Sequence, residues 1–103
     1  MKGDSKMKKL FISQPMRGKT EEEIIAERAD AIQAAKDALN DDIEVLDSYF
    51  ADFNGSALEF LGKSIMLLAQ EDFADFSPGW DKARGCVIEH QCAVSYGIPH
   101  ITA

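Results

Sequence analysis

Leu10-Phe11-Ile12-Ser13-Gln14-Pro15-Met16-Arg17-Gly18-Lys19-Thr20-Glu21-Glu22-Glu23 is the stretch from which the fold of this chain can be read. Leu10 to Ser13 is an apolar run of strand length, and Gln14-Pro15 closes it in a loop. Thr20 and Glu23 then have the spacing of a capping box, in which the hydroxyl takes one main-chain N–H and the carboxylate reaches back to another. A buried strand, a loop and a helix start follow one another directly. The helix has an expected core stripe of Ile25, Ala29, Ile32, Ala35 and Leu39, and Asn40-Asp41-Asp42 supplies turn chemistry at its end.

The alternation continues outward. Ile43 to Leu46 reads as a second strand, and Asp47 to Gly55 as a polar and aromatic connection. Ser56 with Glu59 repeats the capping box ahead of a helix from Ala57 to Gln70, with Leu58, Leu61, Ile65 and Leu68 as its stripe. Phe73 to Phe76 reads as a third strand, although Asp75 fits poorly in a strand covered on both faces. A helix from Arg84 to Tyr96 follows, Gly97 is a natural cap, and Ile98 to Thr102 forms the last strand. The order βαβαβαβ with short links predicts an α/β fold of the small Rossmann-like or flavodoxin-like kind. It is a three-layer sandwich with a four-stranded parallel sheet in the order 2-1-3-4. Ligands of such sheets bind beyond the carboxyl ends of strands 1 and 3. The loops Ser13 to Lys19 and Ser77 to Gly85 are therefore expected to converge on one cleft.

Composition narrows the function. With 103 residues, 46% hydrophobic and 28% charged, the chain is expected to form one domain over residues 7–103, preceded by a flexible tail at 1–6. A formal charge of −7 argues against general nucleic-acid binding, which needs a basic face, and no apolar run has membrane-spanning length. Cys86 and Cys92 have no sequence-local partner, so free thiols in a reducing cytoplasm are expected. His90 and His100 stand apart from any paired-ligand spacing, and neither a metal nor a cofactor is expected. Cys86 near a helix N-terminus fits a lowered thiol pKa, but a small packing residue fits better.

Glu89 is the most informative side chain. At helical spacing Gly85, Ile88, Glu89, Cys92, Ala93 and Tyr96 share one face, so a carboxylate is aimed where an apolar group is expected. Arg84 and the helix N-terminus would keep it ionised. An ionised, oriented, partly desolvated carboxylate is what nucleophilic attack on an anomeric carbon requires. An acid that merely stabilises its helix start fits the same position. Arg17-Gly18-Lys19 lies ahead of a helix N-terminus and suits a monophosphate, though a plain solvated turn fits these residues equally. No Gly-x-x-x-x-Gly-Lys-Ser/Thr is present, which argues against a nucleoside triphosphate. Asp72, at the third strand, is the best second carboxylate for assisting a departing base; read alone, it fits a polar residue ending a helix. Trp80 suits stacking on a base or pinning its own loop.

Leu10-Phe11-Ile12-Ser13-Gln14-Pro15-Met16-Arg17-Gly18 and Gly79-Trp80-Asp81-Lys82-Ala83-Arg84-Gly85-Cys86-Val87-Ile88-Glu89-His90 resemble signatures of the nucleoside 2-deoxyribosyltransferase-like superfamily. The similarity is nearest to a small bacterial and phage branch and to the deoxynucleoside 5′-monophosphate N-glycosidases. It spans about residues 7–101 and takes in Asp47-Ser48-Tyr49-Phe50 and Leu61-Gly62-Lys63-Ser64. The resemblance implies a Rossmann-like homodimer or higher assembly in which Glu89 matches the nucleophile and Asp72 the acid contacting the base. It also implies substrate binding by Ser13, Gln14, Pro15, Met16, Arg17, Gly18, Trp80, Arg84 and Gly85. Asp75 departs from the pattern, replacing a residue that is usually apolar or aromatic. In the resembling enzymes a polar group near one subunit's C-terminus completes its neighbour's site, and no residue here matches that group. The expected activity is N-glycosidic cleavage or base exchange on a nucleoside monophosphate. The alternative is a non-catalytic nucleotide or nucleotide-sugar sensor acting through a protein partner.

Overall fold

The computed structural model describes residues 8–40, 42–45 and 55–102. The expected tail at 1–6, the end of the second strand at Leu46 and most of the connection from Asp47 to Gly55 lie outside them, as does Asp47-Ser48-Tyr49-Phe50. The elements run β1 (Lys8–Ser13), α1 (Glu21–Leu39), β2 (Ile43–Val45), α2 (Ala57–Leu68), β3 (Phe73–Phe76), a 3-10 turn (Trp80–Lys82), α3 (Arg84–Ser95) and β4 (His100–Thr102). All strand pairs are parallel and the sheet order is β2-β1-β3-β4. The fold is thus the α/β arrangement that the sequence predicts.

The helix boundaries come from local chemistry. Both capping boxes form: Thr20 with Glu23 starts α1, and Ser56 with Glu59 starts α2. Asn40 ends α1 in the left-handed conformation, with φ 52°. After α3, Ile98 N–H donates to Ala93 O at 2.9 Å and Gly97 N–H to Val94 O at 3.4 Å, with Gly97 at φ 71°. This is a Schellman closure, which needs the positive φ that glycine adopts at little cost.

Strand alternation divides the core between two faces of the sheet. Leu10, Ile12 and Phe73 pack with Ala31 and Ala35 of α1, while Phe11, Ala74 and Phe76 pack with Leu68 of α2 and Ala93 of α3. Phe11, at 1% exposure, is worth about 1.5–3 kcal/mol of burial. The helices are rotated from the expected stripes. On α1 the buried residues are Ile24, Ala31 and Ala35, with Ile32 and Leu39 packed beside them, whereas Ile25 and Ala29 are exposed. On α2 Leu68 is buried and Leu61 and Ile65 are half-buried, but Leu58 is 76% exposed. On α3 the inward residues are Cys86, Glu89 and Ala93, whereas Tyr96 and Ile88 are exposed. Adjacent apolar residues such as Ile24 and Ile25 lie about 100° apart on a helix, and only packing decides between them.

Candidate functional site

The carboxyl ends of β1 and β3 are stitched together. Ser13 pairs in register with Phe76, and the Ser77 N–H donates to Ser13 O at 2.9 Å. A methyl placed on Gly79 would stand 3.7 Å from Pro15 Cγ, so the loops after the two strands lie side by side. Gly18 and Gly79, at φ 78° and 86°, supply the left-handed turns of these loops.

Ser13 points to the α2/α3 face, where its Oγ donates to Glu89 Oε1 at 2.7 Å. Ser64 of α2 adds a second side-chain hydrogen bond to Glu89. Glu89 is 7% exposed. Burial raises its pKa to about 7, and the hydrogen bonds from Ser13 and Ser64 only partly offset that rise. The expected ionisation by Arg84 is corrected: Arg84 is exposed, no ion pair to Glu89 forms, and the carboxyl sits between its two protonation states near neutral pH. Cys86 is also buried, and desolvation first, with the Glu89 charge adding to it, raises its thiol pKa against a hydrogen bond with Ser13 and the Lys19 charge. A thiolate nucleophile is thereby disfavoured. Cys86 and Cys92 are both free thiols.

The other expected site residues divide. Gln14 is buried, but its amide turns toward α1, where Nε2 donates to Ile24 O at 2.9 Å and to Glu27 Oε1 at 3.1 Å. It therefore anchors the loop after β1 to α1. Lys19 Nζ reaches both Glu27 oxygens at 2.8 Å. Burial alone would raise the Glu27 pKa, but Lys19 and Gln14 outweigh it and hold the carboxylate below its usual range. Pro15 and Met16 are half-buried, and Arg17 is exposed, with no hydrogen bond or ion pair among the described residues. Trp80 stacks on His90 at 4.2 Å and tilts against Phe76 at 5.7 Å, which pins the 3-10 turn to the sheet. Gly85 faces α2, where a methyl would lie in ordinary contact, 3.9 Å from Leu61 Cδ1.

Asp72 is not part of this cluster. Its Oδ2 accepts from Lys9 N–H at 2.9 Å, and its own N–H donates to Lys9 O at 2.9 Å. It closes the amino-terminal end of the sheet, five residues before Ser77, or roughly 16 Å at strand rise. A side chain held there does not reach a base leaving the carboxyl end.

Sequence reasoning missed Ser64 and Ser77 as site residues. Ser64 interrupts the inward stripe between Leu61 and Leu68, and that interruption was the available signal. Ser77 has only its place directly after a buried strand. Among the described residues no group of three His, Cys, Asp or Glu side chains is arranged to hold a metal ion, and no helix is long and apolar enough to cross a membrane. No protein-family model and no curated protein sequence matches this chain.

Proposed function

We propose that the Glu89 cluster cleaves or exchanges the N-glycosidic bond of a nucleoside 5′-monophosphate, as the resemblance to the nucleoside 2-deoxyribosyltransferase-like superfamily implies. The observation that carries this reading is a buried carboxyl at the carboxyl edge of a parallel sheet, oriented by the Ser13 hydroxyl at 2.7 Å and with a pKa near 7. In its ionised form a Glu89 oxygen attacks C1′ as the C1′–N bond breaks, and the bonding pair leaves on the base nitrogen, which takes a proton from water. Water or a second base then attacks C1′, breaking the glycosyl ester and restoring the carboxylate. Ser13 and Ser64 hold the carboxyl in position. Exposed Arg17, without a partner among the described residues, suits the 5′-phosphate.

A cytoplasmic homodimer belongs to the same proposal. Exposed Leu58, Met66, Val94 and Tyr96 on or beside α2 and α3 provide apolar surface for self-association. Sedimentation velocity tests it. For the reaction, incubation with a panel of nucleoside and deoxynucleoside monophosphates followed by chromatography should release free base. The deep burial of Glu89 favours one rival, a sensor that binds the nucleotide without cutting it. Saturable binding with no base released would replace the enzyme by that sensor.

A further inference from the structure

The opposite face of the same sheet edge contains a second polar cluster, which the proposed glycosidic chemistry does not use. Alternation along β3 turns Asp75 and Ser77 toward α1. On α1, residues 27, 30, 31 and 34 fall on one face, and the small side chains of Ala31 and Ala34 leave a cleft of about 220 Å³ against Asp75, Ser77, Pro78 and Ile101. Ile101 is in register with Asp75 across β4.

Two buried polar side chains in this cleft have no hydrogen-bond partner among the described residues. Ser77 is 2% exposed, and its Oγ makes no hydrogen bond among the described residues. Asp75 is 6% exposed, and its carboxyl likewise has no hydrogen-bond partner among them. Desolvation alone raises its pKa to about 6, so no neighbouring cation compensates its charge. Orphaned groups of this kind cost free energy unless a ligand or ordered water satisfies them.

The lining selects among ligands. It contains no basic side chain, and its carboxylates would repel a phosphate. Among the described residues Asp75 and Asp30 do not make a metal cage, because Glu27 is already committed to Lys19. The apolar walls suit a hydrocarbon body, and the volume is below the roughly 300–1,000 Å³ of sites for drug-sized molecules.

We propose that this cleft is a second ligand site for a small organic cation, whose ammonium or amidinium group is held by Asp75 and Ser77 while its apolar body rests on Ala31, Ala34 and Ile101. The site is independent of Glu89, which lies on the other face of the sheet.

The test is an NMR titration of the isotope-labelled full chain with benzylammonium chloride, benzyl alcohol and benzoate at fixed ionic strength. Benzylammonium should shift the amides of Ala31, Asp75, Ser77 and Ile101 saturably. Benzyl alcohol should bind at least about ten-fold more weakly, and benzoate not at all. Asp75→Asn should weaken the cation about ten-fold or more, whereas Glu89→Gln should leave its affinity unchanged. Ser77→Ala, which removes the second contact, should weaken it by a smaller factor and serves if Asp75→Asn does not fold. Equal binding of alcohol and cation, full affinity in both cleft variants, or no saturable shift would overturn the site, the last leaving ordered water as its occupant.

Discussion

Glu89 and Asp75 are two acids buried to almost the same degree at the same edge of the sheet, and they differ in what surrounds them. Glu89, on the α2/α3 face, is 7% exposed and receives hydrogen bonds from Ser13 and Ser64. Asp75, on the α1 face, is 6% exposed and receives none among the described residues. Desolvation raises both pKa values, to about 7 and about 6. The difference separates a carboxyl that the protein orients from one that it leaves open to a ligand. It also explains why β3 tolerates an acid in a strand buried on both faces, since the side chain ends in a cleft rather than in packed hydrocarbon.

The contrast breaks most sharply at Glu89. Glu89→Ala should reduce base release by at least about 1,000-fold while the circular dichroism spectrum is kept; unchanged turnover would end its role as nucleophile. A smaller loss, about 10- to 100-fold and confined to KM, is expected for Arg17→Ala on monophosphates, with no effect on free nucleosides. Equal losses on both substrates would remove the phosphate from the proposal.

Stability should separate the two acids next. Glu71, two residues before β3, is also raised to about 7, by desolvation first, with Lys9 opposing the rise and Asp72 and Glu44 adding to it. All three acids therefore ionise earlier in the unfolded chain than in the fold. Their protonated forms cost nothing below about pH 4, and stability falls as pH rises through roughly 4 to 7. Asp75→Asn should recover roughly 1–2 kcal/mol at pH 8 and almost nothing at pH 4, after allowance for partial solvent screening. Differential scanning fluorimetry would show this as a melting temperature about 4–16 °C higher at pH 8 only. A pH-independent gain would mean that Asp75 was not the ionising group.

Ser13→Ala sharpens the comparison from the other side. Without that hydroxyl Glu89 becomes more like Asp75, so its pKa should rise further and the acid limb of the rate profile should move to higher pH. The cost in stability should be about 1 kcal/mol, read by urea denaturation. The smallest effect is expected at Asp72. Asp72→Asn should leave turnover unchanged and cost about 0.5–1 kcal/mol through its contact with Lys9. A large loss of activity there would return Asp72 to the site.

The local chemistry was legible because it acts within a few residues. Thr20 with Glu23 and Ser56 with Glu59 announced both helix starts, Gly97 announced the end of the third helix, and short apolar runs marked the strands. Parallel pairing and strand order followed from the alternation of elements. The α/β sheet, its order, and the convergence of the loops after β1 and β3 were thus already written in the order of residues. Tertiary structure alone decided that Ile24 rather than Ile25 turns inward and that Asp72 closes the wrong end of the sheet. It alone also gave the Glu89 carboxyl two serine partners and the Asp75 carboxyl none among the described residues. Capping and strand period are interactions between chain neighbours, whereas desolvation, cleft shape and through-space partners exist only after distant segments have packed.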